Sequence, residues 1–193
     1  VLSIAFVIAL DELISPEKPR RITRAEYDRM VEVGLFEGER VELLHGVIIA
    51  MSPIEPSHAS PVDLLNELLV PRLLGRARVR IQQPICASND SEPEPDVAVV
   101  PLADYSTAHP DAAHLVIEVA DSSLRKDRYV KGPLYASSGF EEYWLVNVAT
   151  KTVDVHRRPS SDGWGEVTRH ERDESIAPAA FPDIQLRIAD FLR

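Results

Sequence analysis

The chain has 193 residues, 45% of them hydrophobic and 27% charged, and a formal net charge of −10. A chain of this length can bury the core of one domain without staples, and its single cysteine, Cys86, excludes an intrachain disulfide and a cysteine-built zinc site. The acidity argues against a protein that coats nucleic acid nonspecifically, which needs many phosphate-neutralising lysines and arginines. It leaves room for an enzyme that holds its substrate through a local basic patch.

The apolar run Val1 to Leu10 is shorter than the ~20 residues a membrane span takes and lacks the flanks of a signal peptide. It reads as a packing strand or a misassigned start within an N-terminal extension, residues 1–21, and the expected location is the cytoplasm. The domain proper is expected over residues 22–193. Ile22 to Val33 reads as a helix, with Thr23 as N-cap, Glu26 at capping-box spacing and Gly34 as the stop. Val41–Leu44 and Val47–Met51 flank His45-Gly46, the pattern of a β-hairpin. Ser57 to Leu74 carries leucines at helical spacing, with Ser57 or Ser60 as caps and a bend or end at Pro71.

Ala77 to Ala87 reads as a strand that alternates Arg76, Arg78 and Arg80 onto one face. Asp96 to Val100 is a short strand, and His114 to Ala120 is apolar enough to be central. A helix capped by Ser122 or Ser123 runs to about Ser138, with Gly132-Pro133 expected to kink it. Glu142 to Val148 is another buried strand, and Thr152–Arg157 with Trp164–His170 forms a last hairpin. The order of elements predicts an α/β domain with helices packed on a central sheet.

Chemistry is suggested where carboxylates interrupt apolar strands. Glu118 shares a strand face with Val116 and Ala120, and Asp96 heads the run Val97–Val100. A carboxylate in such a setting is costly unless it is paired or holds a metal. Two acids on adjacent strands repel one another, and a divalent cation relieves that repulsion. Oxygen ligands of this type suit Mg2+ or Mn2+.

Five segments then fall in a familiar order: Glu42-Leu43-Leu44-His45-Gly46, Pro95-Asp96-Val97, Val116-Ile117-Glu118-Val119, Asp127…Lys131…Tyr135, and Gly139-Phe140-Glu141-Glu142-Tyr143-Trp144. Together they resemble the Uma2 family of putative restriction endonucleases, a branch of the PD-(D/E)-x-K nuclease superfamily, over about residues 22 to 190. The resemblance implies a restriction-endonuclease-like fold, with a mixed sheet flanked by helices and an N-terminal helix and hairpin. It implies a metal-dependent endonuclease acting on DNA, with Asp96 and Glu118 as metal ligands and Glu42 as a third acid. The superfamily lysine, two residues after the glutamate, is replaced here by Ala120. The resemblance supplies Lys131 from the following helix in its place, with Lys126 as the alternative amine and Asp127 in support.

His58 stands where the family tends to have histidine and is a candidate for contact with phosphate or metal, or simply a capping residue. Gln83 is a candidate helper of the site. Arg125, Lys126 and Arg128, with the arginines of the Ala77–Ala87 strand, are candidates for nucleic-acid contact. Nucleases that cut both strands often pair, so a homodimer is expected. Two other readings stay open: a nuclease fold used as a non-cleaving binding or regulatory module, and a glycosidase with Glu42 and Glu118 as acid and base.

Overall fold

Thr23 and Glu26 begin the first helix by exchanging hydrogen bonds, each side chain accepting from the other's backbone N–H. The computed structural model describes residues 18–193, so the Val1–Leu10 run lies outside the described residues. Helix α1 spans Arg24–Glu32, and Gly34 takes the positive φ of 76° that stops it. The hairpin follows as strands β1 (Val41–Leu44) and β2 (Val47–Ala50). His45 and Gly46 both have positive φ, the geometry that suits a two-residue turn to strand twist. Tyr27 seals α1 onto the hairpin, burying its ring with Val41 and Leu43 and donating its hydroxyl to the Val41 carbonyl.

Helix α2 (Pro56–Leu73) starts at Pro56 behind Glu55, not behind a serine cap. Proline fits the first helical position because its missing N–H has no helical partner there and its φ is already set. The helix continues two residues past Pro71. Strand β3 is only Arg78–Ile81, far shorter than the expected Ala77–Ala87. Gln82 adopts φ 48° and turns the chain out of the sheet.

The main sheet has six strands in the order β3-β4-β5-β6-β7-β8. Strands β4 (Val97–Val100), β5 (Leu115–Ala120), β6 (Glu142–Asn147), β7 (Thr152–Ser160) and β8 (Gly163–His170) complete it. Only β5 and β6 are parallel; every other pair is antiparallel. A parallel pair needs a crossover, and the helical stretch between them provides it. That stretch comprises α3 (Leu124–Lys126), a π turn (Asp127–Lys131) and α4 (Gly132–Ser137).

The expected proline kink takes the form of this π turn. Pro133 has no N–H to give and crowds the carbonyl one helical turn back. The widened turn before it lets Gly132 N–H bond Asp127 O, five residues back. Gly132 is tight enough that a Cβ would lie 3.3 Å from both Asp127 O and Tyr143 Cε1.

Each sheet face has its own core. Leu115, Ile117 and Val119 pack with Leu65, Leu69, Trp144 and Phe191 under α2 and α5 (Ile188–Phe191). Val116, Ala120, Tyr135 and Tyr143 pack on the other face under the crossover. A short pair, β9 (Ser175–Ile176) and β10 (Leu186–Arg187), stands apart. Among the described residues no helix is long and apolar enough to cross a membrane.

The hairpin docks through a bridge between Leu43 and Glu92, whose backbones exchange hydrogen bonds of 3.3 and 2.8 Å. Burial, with the charge of Asp28 beside it, pushes the Glu92 carboxyl up to about 7. A raised carboxyl favours the fold below the ordinary glutamate value of 4.5 and loses that advantage as pH rises through about 7. Glu92→Gln is therefore expected to raise the unfolding free energy at pH 8 by about 1–2 kcal/mol, after allowance for partial solvent screening. The gain should vanish at low pH. Urea unfolding at the two pH values checks it, and an equal effect at both would contradict it.

Candidate active site

The sheet register sets two acids side by side. Val97 pairs with Ile117, so Asp96, one residue before β4, falls opposite Glu118 near the end of β5. Both line a cleft of approximately 320 Å³, walled by the Met51–Glu55 connection, the start of α2 and the beginning of the crossover. Asp96 Oδ2 accepts the Val119 N–H at 2.8 Å and lies 3.0 Å from His58 Nε2. Gln82 Nε2 approaches Asp96 Oδ1 at 3.4 Å. Burial opposes ionisation of Asp96, but the His58 contact, the Val119 N–H and Lys131 outweigh it and hold the carboxyl below its ordinary value.

Glu118 has the opposite balance. Burial drives its carboxyl well above the usual range; Lys131 opposes that, while Asp127, Asp96 and Glu42 add to it. The Tyr135 hydroxyl donates to Glu118 Oε1 at 2.6 Å, and its own burial keeps that phenol protonated far above neutral pH.

Lys131 is 2% exposed and sits among these acids. Its Nζ is 2.9 Å from Glu118 Oε1, 2.9 Å from Glu42 Oε2 and 3.4 Å from the Glu94 carbonyl. Three acceptors match the three N–H bonds of an ammonium. Burial alone would favour the neutral amine, yet Glu118, Glu42 and Asp127 raise its pKa above the ordinary lysine value. The surrounding carboxylates thus favour the charged ammonium over the neutral amine.

Glu42 is completely buried and lies behind the cleft wall. Its Oε1 holds Lys126 Nζ at 2.7 Å, and its Oε2 holds Lys131 and accepts the Glu94 N–H at 3.3 Å. Both oxygens of the expected third acid are thus engaged by lysines in this structure. The same commitment removes Glu42 as one of a pair of glycosidase acids.

Asp127 is buried on the cleft wall and accepts a hydrogen bond from the Ser123 hydroxyl. Burial raises its carboxyl against the pull of Lys131. Ser123 thus binds a side chain and makes no side-chain cap on the helix.

Other candidates separate. Lys126 lines the cleft, whereas Arg128 turns away to Asp154 at 2.9 Å and Arg125 is exposed outside the lining. Gln83 is exposed and off the cleft, and its neighbour Gln82 makes the contact. Counting alternate residues from Arg80, which pairs with Ala98, reaches Gln82 opposite Asp96; that signal was present in the sequence. Tyr135, four residues after Lys131, was visible by the same spacing as a member of its helix face.

Among the described residues no three His, Cys, Asp or Glu side chains form a ready-made metal cage. The donor chemistry nonetheless suits a hard cation. No protein donor among the described residues reaches Glu118 Oε2, and Asp96 Oδ1 has only the long Gln82 contact. Mg2+ commonly binds through one or two carboxylates and keeps several waters. Asp96 and Glu118 are the residues that would hold it.

The sequence profile of the Uma2 family, described as "Putative restriction endonuclease", matches residues 24–189. The fold is similar to the crystal structure of a putative nuclease from Anabaena variabilis ATCC 29413, with a TM-score of 0.67 and 20% sequence identity over 89% of this chain and 97% of that one. No curated protein matches the chain.

Proposed function

Because the chain belongs to the Uma2 family of putative restriction endonucleases, we propose that it is a metal-dependent endonuclease hydrolysing phosphodiester bonds in DNA. The observation that carries this reading is a buried ammonium, Lys131, in one cleft with Asp96 and Glu118. Restriction-endonuclease-like enzymes generally use divalent metals, and Mg2+ or Mn2+ on Asp96 and Glu118 would acidify a water and neutralise charge on the scissile phosphate.

The chain's own residues prepare the site for that chemistry. Lys131 would offer positive charge where negative charge builds on the phosphate oxygens. Glu42 anchors that ammonium from behind, and Lys131 with Lys126 holds the Glu42 carboxyl below its ordinary value against burial. Tyr135 fixes one oxygen of Glu118 and leaves the other toward the cleft. A homodimer belongs to the proposal, since one cleft per chain cuts one strand at a time.

The test is nicking of supercoiled plasmid by purified protein with Mg2+ or Mn2+. Asp96→Ala and Glu118→Ala should abolish it, and nicking that persists in both variants overturns the assignment. A second reading, a non-cleaving binding module, is favoured by the saturation of Lys131 with acceptors and the lack of a three-ligand cage. Calorimetry separates the two, because a folded protein that takes up no Mg2+ supports the second.

His58 is a positioning residue in this reading, orienting Asp96 from α2. His58→Ala should weaken Mn2+ binding about ten-fold, the usual scale for loss of a partner that orients a metal ligand. Unchanged affinity by titration calorimetry would remove that role.

A further inference from the structure

Away from the carboxylates, β3 carries a second polar cluster. The Arg78 and Arg80 guanidinium carbons each lie 5.7 Å from the centroid of the Tyr105 ring. Arg80 is only 8% exposed, yet among the described residues no carboxylate lies within 4.0 Å of either guanidinium to form an ion pair. Its protein contacts are weak: Nη2 reaches the Pro84 carbonyl at 3.3 Å and His109 Nδ1 at 3.4 Å, and Nε is buried with no partner. A buried arginine normally has a paired anion or carbonyls that use its donors. This one has donors to spare in a chain whose net charge is −10.

The cluster is held in place before any ligand arrives. Tyr105 donates its hydroxyl to the Pro101 carbonyl at 2.9 Å, and Cys86 N–H bonds the Pro110 carbonyl at 2.8 Å, tying the 101–113 loop to the segment after β3. Arg76, by contrast, is satisfied by Asp183 at 2.7 Å and does not take part. Arg80 also lies two residues from Gln82, about 7 Å along an extended strand, and Gln82 touches Asp96.

The geometry points to a phosphate-binding subsite formed by Arg78 and Arg80 around the Tyr105 ring, one step along β3 from the carboxylate cleft. A guanidinium presents a planar fork of donors that matches phosphate oxygens. The phosphate chemistry rests on these residues alone; assigning it to the backbone of a bound strand rests on the nuclease reading above. Such a subsite would fix the strand's register while carrying no sequence information.

The experiment uses the full chain with EDTA present, so that no cleavage occurs. Inorganic phosphate is titrated by calorimetry against a chloride control of equal ionic strength, and a short DNA oligonucleotide is titrated in parallel. Wild type should bind phosphate saturably, and Arg80→Gln should weaken that binding about ten-fold, the scale of one charged hydrogen bond. Arg78→Gln, at an exposed position, should weaken it in the same direction and covers the case in which Arg80→Gln fails to fold. If oligonucleotide binding weakens too, with the salt slope reduced by about 0.7–0.9, the ligand is a strand phosphate. If only phosphate binding weakens, the subsite stands and its ligand is a free phosphate or mononucleotide. No saturable phosphate binding, or equal binding in the variants, overturns the subsite. A protein that nicks plasmid but binds no phosphate here loses the subsite alone; one that binds phosphate through these arginines and never nicks loses the nuclease reading alone.

Discussion

Lys131→Met is expected to lower the unfolding free energy by about 3–5 kcal/mol at pH 8, the scale for removing one partner of a buried ion pair. Methionine preserves most of the apolar stem, so the loss isolates the charge. Without the ammonium, Glu42 keeps Lys126, but Glu118 keeps only the Tyr135 hydroxyl and Asp127 only the Ser123 hydroxyl as side-chain donors. The pH dependence has a definite sign. Losing the cation raises the folded pKa of Glu118 further, so the variant should gain stability as pH falls toward the ordinary glutamate value of 4.5 and lose it as pH rises. In the wild type Glu42 is lowered: burial opposes, but Lys131 and Lys126 prevail, and its contribution is present above pH 4.5 and lost in acid. Urea denaturation from pH 8 down into acid below pH 4.5 measures both; a loss independent of pH would mean the effect is packing, not charge.

Glu118→Gln should separate stability from activity. The substitution keeps the shape of the side chain and removes a charge that burial already penalises. Lys131 retains Glu42 at 2.9 Å, so its ammonium stays paired. The expected result is unchanged or slightly raised stability at pH 8, with cleavage reduced by at least about 100-fold, comparable to loss of a principal electrostatic contact in catalysis. A melting curve and a plasmid-nicking time course on the same preparation suffice. Retained cleavage would move the chemistry away from Glu118; a large loss of stability would mean that its pairing with Lys131 is structurally required.

Most of the architecture was legible because local signals and tertiary packing agree. The Thr23–Glu26 capping box, the His45-Gly46 turn and the apolar β5 run each specify one local structure. Asp96 and Glu118 stand out by the same logic, since an acid inside an apolar strand needs a reason, and they line one cleft. The differences arose where a register or a distant partner decided the outcome. Alternation from Arg80 sets Gln82, not Gln83, opposite Asp96, and its φ of 48° then ends β3. Arg128 was drawn off by Asp154, 26 residues away in sequence, a partner that no local window reveals. Glu42 was identifiable as part of the site, but its place behind the cleft depends on how the hairpin docks against Glu92.

The π turn is the most informative departure. A proline two residues after the candidate lysine predicts a kinked helix. The extra residue in the turn absorbs the missing N–H, and Lys131 reaches Glu42, Glu118 and the Glu94 carbonyl together. Such turns are frequent at functional sites. Here it brings the amine to the cleft by a route the Ala120 position cannot supply.

The proposed activity requires above all that Asp96 and Glu118 hold a divalent metal. A crystal soaked in Mn2+, with anomalous scattering recorded near the manganese edge, tests this directly. The expected result is an anomalous peak bound by both carboxylates, with the Lys131 ammonium still facing the cleft. Crystals showing no such peak at saturating Mn2+, or manganese bound only elsewhere, would contradict it.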